Sequence, residues 1–178
     1  MRILSVLLLL AVILASPARA ETAHDFAFTA IEGGALALGD YKGKTLLVVN
    51  TATQCGNTHQ FGTLQKLWDT YKDQGLVVIS VPSNDFGQEP RDEAGIKQFC
   101  SLEFSADFPM TTREHVKGSD AHPFFQWVEK NQGNKAVPSW NFFKYLVDKD
   151  GNLVNYYGTG EDPMGDKIRT AVESALKS

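Results

Sequence analysis

Cys55 lies in the stretch Asn50-Thr51-Ala52-Thr53-Gln54-Cys55-Gly56, after the apolar run Leu46-Leu47-Val48-Val49 and just ahead of a helical pattern opening near Thr58. A thiol on a turn between a buried strand and a helix N-terminus faces backbone N–H groups and the positive end of the helix dipole. Both favour negative charge. The thiolate is the nucleophilic form of cysteine, so attack by sulfur is the chemistry expected here. A second cysteine, Cys100, follows 45 residues later.

Two familiar kinds of cysteine site fit less well. A thiol–disulfide oxidoreductase carries C-x-x-C, and the position that would hold the partner is Thr58. A peroxiredoxin typically carries threonine three residues before its cysteine, where this chain has Ala52 between Thr51 and Thr53.

The chain has 178 residues and a formal net charge of −4. It opens with Arg2, an apolar run from Ile3 to Ala15 interrupted by Ser5, and Ala18-Arg19-Ala20, an A-x-A cleavage pattern. This predicts a cleaved signal peptide over 1–20 and a single domain over 21–178. The run is short for a membrane span, so no stable membrane insertion is expected. Export, to the periplasm in a Gram-negative cell, follows from the leader. With Arg2 and Arg19 removed, 15 basic residues stand against 21 acidic ones, a charge of −6. A mildly acidic chain with no basic run is a poor match for nucleic acid. In an oxidising compartment Cys55 and Cys100 could equally form a structural disulfide.

The elements that must position Cys55 read as follows. Phe26–Thr29 and Leu36–Leu38 are short strands around Glu32-Gly33-Gly34, and Leu46–Asn50 is a buried strand. Thr58–Asp73 is helical, with Phe61, Leu64, Leu67, Trp68 and Tyr71 on one face. Leu76–Val81 is a strand; Asp92–Cys100, Ala121–Asn131 and Asp162–Leu176 are helices. Phe143–Val147 and Leu153–Tyr157 flank a turn containing Asp150-Gly151, the mark of a hairpin. The order predicts an α/β, thioredoxin-like fold: a central mixed sheet flanked by helices, preceded by an N-terminal β-hairpin. The turn after its first core strand points to the sheet edge where ligands bind.

Four segments together resemble the glutathione peroxidase family. They are the Cys55 stretch, Val81-Pro82-Ser83-Asn84-Asp85-Phe86-Gly87 with Gln88-Glu89-Pro90, Gly118-Ser119-Asp120-Ala121-His122-Pro123, and Trp140-Asn141-Phe142-Phe143-Lys144. They occur in family order and spacing, and the resemblance covers nearly all of 24–176. It implies that Cys55 is the peroxidatic residue, that the Trp140 indole N–H faces the reacting sulfur, and that the Asn141 amide donates toward it. Donors so aimed stabilise a thiolate and the charge on the departing oxygen. Read as residues alone, Trp140 is core more readily than catalyst.

Asp85 departs from the family, which has glutamine there, and Ser83 departs where cysteine is common. Three roles for Asp85 stand open: a protonated carboxyl that donates, a proton acceptor from Cys55 or the peroxide, or a side chain turned away from the sulfur. The resemblance also implies that Cys100 is a resolving cysteine, and so a cysteine-type, two-cysteine member recycled by a thioredoxin-like protein in preference to glutathione. From the residues alone, Cys100 could instead pack beside Ile96 and Phe99 as a small hydrophobe. A chain short between Asn131 and Trp140 implies a monomer. His24, His59, His115 and His122 show no ligand spacing, so neither metal nor cofactor is expected, and His122 before Pro123 marks a helix start. The substrate class implied is hydrogen peroxide and organic or lipid hydroperoxides. The rival reading is a non-catalytic redox-sensing or binding module with Cys55–Cys100 as a structural or signalling disulfide.

Overall fold

A computed structural model describes residues 20–178; the predicted leader, apart from Ala20, lies outside the described residues. The chain runs β1 (Ala27–Thr29), β2 (Ala35–Ala37), β3 (Thr45–Thr51), α1 (Gln60–Tyr71), β4 (Leu76–Pro82), α2 (Glu93–Phe104), α3 (Pro123–Gln132), β5 (Lys144–Val147), β6 (Leu153–Tyr157) and α4 (Asp166–Lys177), with short 3-10 turns between. The strands β1 and β2 form the expected hairpin. Its turn needs Gly33 and Gly34, whose φ angles are +95° and +84°.

The main sheet has the order β4-β3-β5-β6, with β3 parallel to β4 and antiparallel to β5, and β5 antiparallel to β6. The mixed, helix-covered sheet expected from the sequence is therefore present. β3 is buried along its whole length, which is why it reads as a continuous apolar run. Its side chains still alternate. Leu47 and Val49 enter a core with α1, α2 and α4, while Leu46 and Val48 enter a second core with α3 and the N-terminal hairpin. The helices bury the faces their periodicity marks: Phe61, Leu64, Leu67 and Tyr71 on α1, and Phe124, Phe125, Trp127 and Val128 on α3. His122 caps α3, its Nδ1 accepting from Phe124 N at 3.2 Å.

Several boundaries differ from the sequence reading. α2 runs to Phe104, so Cys100 is interior to a helix rather than at its end. Asp162 opens a turn instead of α4, its Oδ1 accepting from Met164 N at 2.7 Å. The expected strand from Phe143 opens one residue later. Phe142 takes a left-handed φ of +65°, which breaks the extended run, and β5 starts at Lys144. No described helix is long and apolar enough to cross a membrane.

Candidate active site

Between β3 and α1 the chain makes two turns before it becomes helical, and Cys55 sits in the middle, 7 % exposed. Thr58 organises this turn. Its hydroxyl lies 2.5 Å from Cys55 O and 3.0 Å from Cys55 N, and its own N–H donates to Cys55 O at 3.0 Å. Asn57 brings two donors to the sulfur, its backbone N at 3.4 Å and Nδ2 at 3.8 Å. Such donors favour negative charge on Sγ. Asn57 was not among the candidates read from the sequence. The available signal was its place on the turn that enters α1, where free N–H groups gather.

The stretch 83–90 ties the other candidates to this turn. Gln88 O accepts from Gln54 N at 3.0 Å, and Gln88 Oε1 accepts from Asn141 Nδ2, also at 3.0 Å. Glu89 is fully buried, and its carboxylate accepts from Thr53 N at 2.7 Å and from Thr53 Oγ1 at 2.6 Å. Arg91 Nη1 donates to the same Thr53 oxygen at 2.6 Å while its guanidinium lies 4.5 Å over the Phe99 ring. Neither Gln88 nor Glu89 had been given a role at the site, because their partners come from elements far off in sequence.

Asn141 is fully buried, and its Oδ1 finds no hydrogen-bond partner among the described residues. The asparagine side chain at the end of β3 holds this segment in place: Asn50 Nδ2 donates to Trp140 O at 3.1 Å and Asn50 Oδ1 accepts from Phe143 N at 2.9 Å. The left-handed Phe142 between those contacts costs on the order of 1–3 kcal/mol, a strain of the kind that collects at functional sites. The Trp140 side chain is 40 % exposed and its ring packs against Phe86 at 5.5 Å between centroids.

Asp85 is held by the 115–117 segment. Its Oδ1 accepts from His115 Nδ1 at 2.7 Å, and its Oδ2 accepts from the backbone N of Val116 at 2.7 Å and of Lys117 at 3.3 Å. Both oxygens are thus engaged by 115–117 rather than by Cys55. His115, set aside in the sequence reading for want of ligand spacing, is the side chain that claims it.

Cys55 and Cys100 are both free thiols and belong to the same core cluster. Cys100 is completely buried on α2, and burial, followed by the nearby Glu89 charge, pushes its pKa up to about 12. Among the described residues no group of three or more His, Cys, Asp or Glu side chains is arranged to hold a metal ion.

A sequence profile described as glutathione peroxidase matches residues 23–129. The chain belongs to the glutathione peroxidase family. It is 42 % identical over 156 residues to the glutathione peroxidase homolog BsaA of Halalkalibacterium halodurans, covering 86 % of this chain and 98 % of the relative. It is 38 % identical over 165 residues to hydroperoxy fatty acid reductase gpx1 of Synechocystis, covering 88 % and 96 %. In three dimensions it resembles the crystal structure of T. cruzi GPX1, with a TM-score of 0.71 and 29 % identity over 89 % of this chain and 98 % of that one. A thioredoxin-family thiol:disulfide interchange protein from Chlorobium tepidum shares the fold at 16 % identity, with a TM-score of 0.66 over 90 % of this chain and 99 % of that one. The thioredoxin-like fold expected from the element order is therefore shown, and a glutathione peroxidase of this family is an oxidoreductase acting on peroxides.

Proposed function

We propose that this peroxidase reduces hydrogen peroxide and organic or lipid hydroperoxides through Cys55. The observation that carries the reading is the Cys55 thiol on the β3–α1 turn with two Asn57 donors at its sulfur, in a chain of this family. The relative named for hydroperoxy fatty acids supports the lipid end of the substrate range. The Cys55 thiolate attacks one peroxide oxygen, the O–O bond breaks, and the second oxygen leaves as an alkoxide or hydroxide that takes up a proton. Cys55 becomes a sulfenic acid and the substrate becomes an alcohol or water. Trp140 and Asn141 serve as donors toward the charge that develops at sulfur and oxygen.

Cys100 then attacks the sulfenic sulfur. An S–S bond forms, the S–O bond breaks, and the hydroxyl departs as water with the Cys100 proton. A dithiol restores both thiols by exchange and is itself oxidised to a disulfide. A thioredoxin-like protein suits this step better than glutathione, since each protein dithiol brings both required sulfurs. For Cys100 to react, α2 must open: in the helix the thiol is sealed from solvent and its ionisation is suppressed. Ser105 ends α2 with a left-handed φ of +53°, a small strain that lowers the cost of unwinding this end. The chain acts outside the cytoplasm, in the periplasm, as a monomer. N-terminal sequencing and sizing of protein from that fraction test this.

Intact mass of the reduced protein after one equivalent of hydroperoxide tests the cycle. Wild type is expected to lose two hydrogens, and Cys100→Ser to gain one oxygen. Unchanged masses in both would reject the peroxidatic role of Cys55 and leave the redox-sensing module as the better account.

A further inference from the structure

Asp85 and His115 join two segments, one of which carries Phe86 against Trp140. Asp85 belongs to the turn after β4, and His115 to the extended segment that leads toward α3. The side chain of Asp85 is 10 % exposed while that of His115 is 66 % exposed, so a sheltered acceptor meets a donor in contact with solvent. The backbone N–H groups of Val116 and Lys117 converge on the other carboxylate oxygen. Lys117 then reaches back, its Nζ 4.2 Å over the Phe86 ring, and Phe86 packs on Trp140. The contacts run without a gap from His115 through Asp85 and its neighbour Phe86 to the Trp140 indole.

We propose that Asp85, His115 and Lys117 form a latch that seats Phe86 against Trp140, and that protonation of His115 tightens it. His115 and Lys117 are positioning residues that act through Trp140; the inference rests on the proposed role of Trp140 at the sulfur. Neutral His115 already donates from Nδ1 to the ionised carboxylate; protonation turns that bond into an ion pair, a modest further gain for a ring in contact with solvent. Carboxylates around the ring favour the cation: Asp85 directly, with Asp120 and Glu114 adding to it, and these raise the His115 pKa. The remaining charges lining the cleft, Glu93 and Arg113, are paired with each other at 3.1 Å, and Lys117 is engaged at Phe86. The departure from glutamine at 85 thus has a local counterpart. An aspartate here needs a partner on the facing segment, and His115 supplies it.

The test follows the Trp140 indole N–H by 15N NMR across pH 5.5 to 9 in a Cys55→Ser background, which removes the thiol as a second titrating group, with Trp140→Phe to assign the signal, alongside the His115 ring protons. The expected result with His115 intact is a Trp140 signal that titrates with the same midpoint as His115. In His115→Gln, which keeps a donor but cannot titrate, the signal should be flat over that range. In Lys117→Met the signal should be displaced but still titrate. The rate of Cys55 oxidation, as a ratio of wild type to His115→Gln, should fall about twofold as pH rises through the His115 midpoint, the scale of an exposed ion pair. A Trp140 signal that ignores His115, or that titrates unchanged in His115→Gln, overturns the latch. Because the NMR readout needs no turnover, it fails separately from the peroxidase reading.

Discussion

The buried carboxylate of Glu89 holds Thr53 by both its backbone N–H and its hydroxyl, at 2.7 and 2.6 Å. The contact spans 36 residues of sequence and pins the turn two residues ahead of Cys55. Glu89→Gln must present an amide NH2 to at least one of those donors. Leaving a buried donor unpaired costs about 1–3 kcal/mol. Urea unfolding should show that loss, and stopped-flow oxidation of Cys55 should slow about tenfold as the turn loosens. A variant as stable as wild type, with an unchanged rate, would show that the contact positions nothing.

Asn141 has one donor on Gln88 and, among the described residues, an unpartnered acceptor in a sealed setting. Asn141→Ala removes a buried acceptor without a partner among the described residues together with the bond to Gln88, so the stability loss should be about 1 kcal/mol, the net worth of one hydrogen bond. The rate of peroxide reduction should fall by 10-fold or more, in the range seen when a donor to developing charge is removed. Loss of stability and activity in proportion would make Asn141 a structural residue.

Alkylation separates the two thiols. At pH 8, iodoacetamide should modify Cys55 promptly, whereas Cys100, with a pKa pushed up to about 12 and no exposed surface, should react at least 100-fold more slowly until the protein unfolds. The sign of the linkage is fixed. A thiol raised in the folded state stays protonated while the unfolded chain ionises, so the contribution of Cys100 to stability declines as pH rises above about 9. Mass mapping of the labelled protein reads the ratio directly, and equal labelling would mean that α2 opens without oxidation.

Lys144 is completely buried, and its ammonium donates to the carbonyls of Gly158, Thr159 and Glu161 at 3.4, 3.3 and 2.6 Å. Burial outweighs the nearby Asp162 and Glu161 charges and lowers its pKa to about 8. The unfolded chain therefore binds the extra proton between pH 8 and 10.5, and stability from this group rises with pH across that window. Compared with Lys144→Met, wild type should gain on the order of 2 kcal/mol between pH 7.5 and 10. Denaturant midpoints over that range check it; a constant difference would place the lysine titration outside the window.

The family and the order of elements were legible in the sequence because each is written locally. A buried strand shows as an apolar run, an amphipathic helix shows as a 3.6-residue period, and a cysteine on a strand–helix turn shows in the residues flanking it. Which groups face which was decided only by tertiary structure. Asp85 has a carboxylate in any conformation, yet only the docking of the 112–118 segment gives it His115 and the Val116 N–H. Glu89 reads as a surface residue until the sheet and the turn after β4 enclose it with Thr53. Cys100 reads as the end of a short helix until the Ser105 cap carries α2 another turn and seals the thiol in the core. Hydrogen bonds and burial depend on separations of a few ångströms between residues tens of positions apart, and no local pattern in the chain encodes those distances.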